Sequence, residues 1–169
     1  FDVSLNKQGA DSFQNSIKAV ERLNKYVQLD PAALVVDTRP RADFEKGHLK
    51  GVLNIMDGGK FETWLGSIVG PEEAYYLIAK DEKSMDSLIE KAAKIGYEKN
   101  IKGILLNPEN ATEKSEVIKL EDFKQNPNKY TIVDVRNDSE VRSGKIFENS
   151  VAIPLPELRE RISEIPADK

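Results

Sequence analysis

Two short clusters in this 169-residue chain hold residue types that could do chemistry. Asp37 and Arg39 stand one residue apart, and Asp134 and Arg136 repeat that spacing. A carboxylate beside a guanidinium could act as a base with an oxyanion-binding partner. It could equally be a structural tie at a strand end, the carboxylate capping loop amides and the guanidinium joining neighbouring loops. The structural role is the reading adopted for both pairs. His48 is the single histidine. One imidazole cannot build a zinc site, and the place of His48 between Gly47 and Leu49 points to a packed turn with one hydrogen bond. The chain has no cysteine, which removes thiol nucleophiles, thiolate metal sites and disulfides. No metal or cofactor is expected on these residues.

Both clusters belong to a longer repeat. Val36, Asp37, Arg39, Gly47 and Leu49 fall on Val133, Asp134, Arg136, Gly144 and Ile146 at a constant shift of 97 residues. One extra residue then enters before Ile55 meets Ile153. That spacing is too long for a solenoid and fits a duplicated domain. The composition fits a packed core, with 39% hydrophobic and 32% charged residues. The net charge of −4 argues against nucleic acid or an anionic membrane as partner. No apolar run approaches the ~20 residues of a spanning helix. No signal-peptide pattern opens the chain, so a cytoplasmic location is expected, and Phe1 in place of Met points to a fragment.

The elements that must position these residues alternate between strand and helix. Leu34–Val36 is a short apolar run, suited to a strand buried on both faces, Val52–Ile55 is another short apolar run, and Tyr75–Ile78 and Ile101–Leu106 are further strand candidates. Asp37–Arg41 reads as the loop after the first of them. Phe61, Trp64, Leu65 and Ile68 give one apolar helix face, read as core, and Gly70-Pro71 ends that helix. Ser84 reads as an N-cap for a helix with Met85, Leu88, Ile89 and Ala92 inward and Gly96 as its C-terminal cap. Ile17, Val20 and Leu23 predict a short leading helix. Residues 107–116 are polar and aperiodic, and Thr131–Val133 restarts the strand pattern. Pro156 opens a predicted helix with Leu155, Leu158, Ile162 and Ile165 on one face and a Glu157–Arg161 pair. The lysines at 80, 83, 91 and 94 lie among glutamates, as on a solvated helix face.

The string from Val35 to Ile55 resembles the rhodanese family of thiosulfate sulfurtransferase-like domains, through Asp37, Arg39, Gly47, His48, Leu49, Asn54 and Ile55. The second copy is similar through Asp134, Arg136, Glu140, Gly144, Ile146, Ala152, Ile153 and Pro154. The resemblance implies an α/β fold, a parallel sheet flanked by helices on both faces, followed by a partial second copy. It also implies a strand-to-helix loop whose cysteine carries a persulfide, its anion held by backbone amides and a helix N-terminus. Family spacing, 17 residues back from Gly96, lands on Ala79. The loop Ala79, Lys80, Asp81, Glu82, Lys83 and Ser84 holds two carboxylates where an anion should sit. Each would repel that anion by about 1 kcal/mol. The first domain is therefore expected to be inactive in sulfur transfer, and any second-domain cysteine is expected beyond Lys169.

The opening Val3–Gly9 resembles the segment that joins a metallo-β-lactamase-fold domain to a rhodanese tail. It implies an upstream domain that could hold iron or zinc. Residues 1–16 are then a linker, 17–110 a rhodanese-like domain, 111–118 a second linker and 119–169 half of another domain. The expected role is a scaffold or docking domain in a sulfur-metabolism protein, with the upstream domain, another protein or a second copy as partner. A non-catalytic binding module is the alternative.

Overall fold

The computed structural model describes residues 14–106 and 108–166. The chain divides into two compact units, Phe1–Ser115 and Glu116–Lys169.

The first unit is built on β1 (Leu34–Asp37), α1 (Arg41–Lys46), β2 (Leu53–Asn54), α2 (Phe61–Ile68), β3 (Tyr75–Ala79), α3 (Glu82–Lys94) and β4 (Ile101–Leu106). The strands form one sheet in the order β2-β1-β3-β4, and every pairing is parallel. It is an α/β fold, a parallel sheet flanked by helices. Strand alternation splits the apolar residues between two faces. Val36, Tyr75, Leu77, Ala79 and Ile104 pack with Phe61, Leu65, Met85, Leu88 and Ile89 of α2 and α3. Tyr76, Ile78 and Leu105 face the other way, under Leu23, Leu29, Ala33, Val35 and Leu49.

Residues 14–19 are helical, and Ile17 and Val20 are buried. Leu23 departs from the predicted helix. Its amide donates to Ile104 O at 2.8 Å, and Ile104 N donates to Glu21 O at 2.9 Å, so the chain runs parallel along the outer edge of β4. A Cβ at Gly103 would lie 2.4 Å from Leu23 Cδ1, so glycine there admits this crossing. Trp64 is 41% exposed rather than core. At 100° per residue it lies at the margin of the stripe that Phe61 and Leu65 bury, and an eight-residue helix covers little beyond it. α1 starts at Arg41, inside what the sequence reads as a loop, and buries no residue. The predicted C-terminal cap of α3 is present. Gly96 has φ +75°, Tyr97 N donates to Ala92 O and Gly96 N to Ala93 O, each at 3.0 Å, a Schellman arrangement.

The second unit holds α4 (Leu120–Gln125), β5 (Val133–Asp134), α5 (Asp138–Arg142) and β6 (Val151–Ala152). β5 and β6 pair in parallel as a two-stranded sheet. Phe123 contacts Tyr130 and Phe147 at ring-centroid distances of 5.7 and 5.6 Å, and Ile153 is fully buried. The helix predicted over 155–165 is replaced by two 3-10 turns, Leu155–Glu157 and Ile162–Glu164. Leu155, Leu158 and Ile165 are half-buried while Ile162 is 64% exposed, so the predicted apolar face is only partly turned inward. The Glu157–Arg161 pair does form, at 2.8 Å.

Candidate functional site

The C-terminal ends of β1 and β3 lie side by side in the first unit, and the sequence-predicted residues gather there. β1 ends at Asp37, which is fully buried. Its carboxylate accepts from Arg39 N at 3.0 Å, from Arg39 Nε at 2.9 Å and from Arg39 Nη2 at 2.6 Å. Arg39 Nη2 also donates to Gly47 O at 2.8 Å, clasping the strand end to the turn after α1. A buried charge persists only when paired and hydrogen-bonded, and this pair turns inward on itself. It offers neither a free base nor an open guanidinium edge. Two groups with no assigned role in the sequence complete the clasp. Asn54 Nδ2 donates to Asp37 O at 2.9 Å and Arg39 O at 3.0 Å. Thr38 Oγ1 donates to Ile78 O at 2.9 Å. No local pattern announces either bond, because each partner is distant in sequence.

The loop from Ala79 to Ser84 sits where β3 passes into α3. Ala79 is buried as the last strand residue, so only Lys80 and Asp81 separate strand from helix. Asp81 is the N-cap, displacing Ser84 from the role the sequence assigns it. The Asp81 carboxylate accepts from Ser84 N at 2.9 Å, and Asp81 N meets Ser84 Oγ at 3.4 Å, which closes a capping box. The Ser84 amide at this helix N-terminus is thus held by the chain's own carboxylate. Glu82 adds a second negative charge in the first turn. Lys80, Asp81, Glu82 and Lys83 are exposed and Ser84 is half-buried.

His48 is half-buried and stacks on Phe44 with ring centroids 3.9 Å apart, its Nδ1 2.9 Å from Phe44 O. Its backbone exchanges two hydrogen bonds with Glu113, at 2.9 and 3.0 Å. Residues read as linker are therefore paired to this turn, and Pro108 is buried. Among the described residues, no group of three or more His, Cys, Asp or Glu could hold a metal ion. Nor is any helix among them long and apolar enough to cross a membrane.

The second unit repeats the clasp. Asp134 accepts from Arg136 N at 3.2 Å, Nε at 2.9 Å and Nη2 at 2.6 Å, and Arg136 Nη2 donates to Gly144 O at 3.2 Å. Arg136 holds the Asp134 carboxyl below the usual carboxylate range. No strand equivalent to β3, and no loop after it, lies among the described residues of this unit.

A family model described as Rhodanese-like domain matches residues 19–104, just over half of the chain. The chain belongs to the rhodanese-like family. Three solved structures are similar to this rhodanese-like chain. A metallo-beta-lactamase from Staphylococcus aureus subsp. aureus COL has a TM-score of 0.43 and 24% identity, covering 48% of this chain and 24% of that one. The Alr3790 protein from Anabaena sp. has a TM-score of 0.41 and 17% identity, covering 59% and 80%. A thiosulfate sulfurtransferase from Pseudomonas aeruginosa has a TM-score of 0.38 and 13% identity, covering 91% and 38%. The rhodanese-like chain thus spans about a quarter of the first and under two-fifths of the third. Comparison with curated proteins returned no match.

Proposed function

We propose that this chain is a catalytically silent rhodanese-like region of a sulfur-metabolism protein, acting as a scaffold or docking domain. The family is sulfurtransferase-related, which supplies the sulfur context. One observation carries the silence: the Asp81 carboxylate occupies the α3 N-terminus, and Ala79 stands where the family nucleophile would stand. A sulfur anion arriving there would have to displace a covalently tethered, correctly placed acceptor. It would also find no group able to take up sulfur.

The clasp around Asp134 supports reading the second unit as a partial second copy, whose reactive loop would lie further along the polypeptide. An upstream metallo-β-lactamase-fold domain, with iron or zinc, is proposed on the resemblance of Val3–Gly9 alone. Those residues lie outside the described ones, and the described residues give such a metal no place.

The test is thiocyanate formation from thiosulfate and cyanide by the 169-residue chain. The rate should equal that of the protein-free blank. Turnover that scales with protein concentration would refute the reading. The binding-module alternative gains if no reactive loop follows the second unit in the gene.

A further inference from the structure

We infer that a cavity at the β4 edge of the first unit binds a free organic cation, an ammonium or guanidinium group on an apolar stem. The cavity measures about 570 Å³, within the ~300–1,000 Å³ of small-ligand sites. Asp37, Arg39, Asn54 and Ala79 take no part in its walls. The site is therefore distinct from the clasp and from the position of the family nucleophile, and it does not depend on silence there.

Three diverging segments enclose it. The leading chain crosses β4 at Leu23, whose amide donates to Ile104 O at 2.8 Å. It then turns away, as Tyr26 N donates to Asn24 Oδ1 at 2.7 Å and Val27 N to Asn24 O at 3.1 Å. β4 runs on past the crossing to Leu106. The first turns of α3 close the remaining side with Glu82, Met85 and Asp86. Leu23, Met85 and Leu106 supply the apolar part of the lining. Of these, Met85 is unbranched and can adapt to stems of different shape.

Charge selects the ligand class. Arg22 and Lys25 also line the cavity, but both are already engaged. Arg22 Nη1 donates to Val20 O at 3.1 Å and its Nη2 to Asp86, and Lys25 Nζ donates to Glu109 at 2.6 Å. Each cation is thus matched by a carboxylate. Glu82 is not, for among the described residues its carboxylate has no ion pair. It stands four residues before Asp86 on one face of α3, a spacing at which like charges repel. The α3 dipole offsets part of that cost. A cation held between the two carboxylates removes the rest and lays its stem on Leu23, Met85 and Leu106. An anion in the same place would face Glu82 with both lining cations already spent.

The test uses the two methionines, since Met85 lies in the wall and Met56 lies outside it. Hexylammonium titrated into the 169-residue chain should shift the Met85 methyl resonance saturably, with a Kd on the order of 1 mM, and leave Met56 in place. Hexanoate should bind at least about tenfold more weakly, and ammonium chloride, which has no stem, should leave Met85 unshifted. Glu82→Gln should weaken hexylammonium roughly threefold to fivefold. Glu90→Gln removes an exposed α3 carboxylate away from the cavity and should leave binding unchanged. The inference is overturned if hexanoate binds equally well, if Met56 shifts in parallel with Met85, or if the two glutamine variants weaken binding alike, which would make net charge the cause. It also falls if an acetylated lysine peptide binds about tenfold tighter than hexylammonium, which would make a partner protein's side chain the occupant.

Discussion

Arg39 reaches Asp37 with an Nη2–Oδ2 distance of 2.6 Å, and Arg136 reaches Asp134 at the same 2.6 Å. The surroundings differ. The Arg39 side chain is 8% exposed inside a four-stranded sheet, whereas that of Arg136 is 28% exposed beside a two-stranded one. The bonds of the clasp are therefore local, specified by an Asp-x-Arg spacing and a carbonyl eight residues further on. Its burial is not local, since Ile78 and Asn54 must arrive from other elements to close over it.

The comparison can be broken most forcefully at the carboxylates. Asp37→Ala strands a buried guanidinium and should cost the first unit about 3–5 kcal/mol. Urea unfolding followed by Trp64, the sole tryptophan, reads that loss. Asp134→Ala should cost the second unit visibly less, by amide exchange at Ile153, because water can solvate Arg136. Equal losses would mean that exposure does not separate the two clasps.

The paired glycines come next. A Cβ at Gly47 would meet Ala111 O at 2.6 Å, a backbone atom that cannot yield easily. Gly47→Ala should cost about 1–3 kcal/mol in the same urea experiment. Gly144 has open space around it, and only its φ of +152° resists a side chain. Gly144→Ala should cost about 1 kcal/mol, measured by exchange in the second unit.

Asp81→Ala removes the cap of α3 and should lower first-unit stability by about 1 kcal/mol while leaving thiocyanate formation at the blank rate. A gain of turnover would show that the carboxylate alone was holding activity back.

The smallest effect is set by pH. Arg136 lowers the folded pKa of Asp134 below its unfolded value near 4. The contribution of this pair is then complete above that unfolded value and fades as pH falls through the folded one. Protection at Ile153, taken relative to the intrinsic exchange rate at each pH, should fall in the wild-type chain as pH drops below that unfolded value, and Asp134→Asn should flatten that dependence.

What the sequence disclosed follows from range of interaction. β1 and β3 hold continuous apolar runs, β4 is apolar but for Lys102 and Gly103, and α3 carries both a buried stripe and a glycine at its end, so each was legible alone. The Asp-x-Arg clasp was legible for the same reason, and its repetition exposed the internal correspondence. Trp64 was misread because a helix face has margins that spacing does not mark. The 155–165 segment has helical spacing and half-buries Leu155, Leu158 and Ile165, yet its backbone tightens into two 3-10 turns that leave Ile162 outside, a choice that spacing does not mark. Asp81 and Ser84 can each cap a helix. The choice between them depends on where β3 releases the chain, which no local pattern states. The pairing of Glu113 with His48 was hidden in a polar stretch that reads as linker.

The capping box at Asp81 also determines how the first unit responds to its surroundings. A fold that leaves a helix N-terminus vacant for a passing anion gains stability when that anion binds, in proportion to the logarithm of its concentration. Here the anion is part of the chain and is always present at unit occupancy. Sulfite, thiosulfate and sulfide pools should therefore leave the melting temperature of this unit where it is.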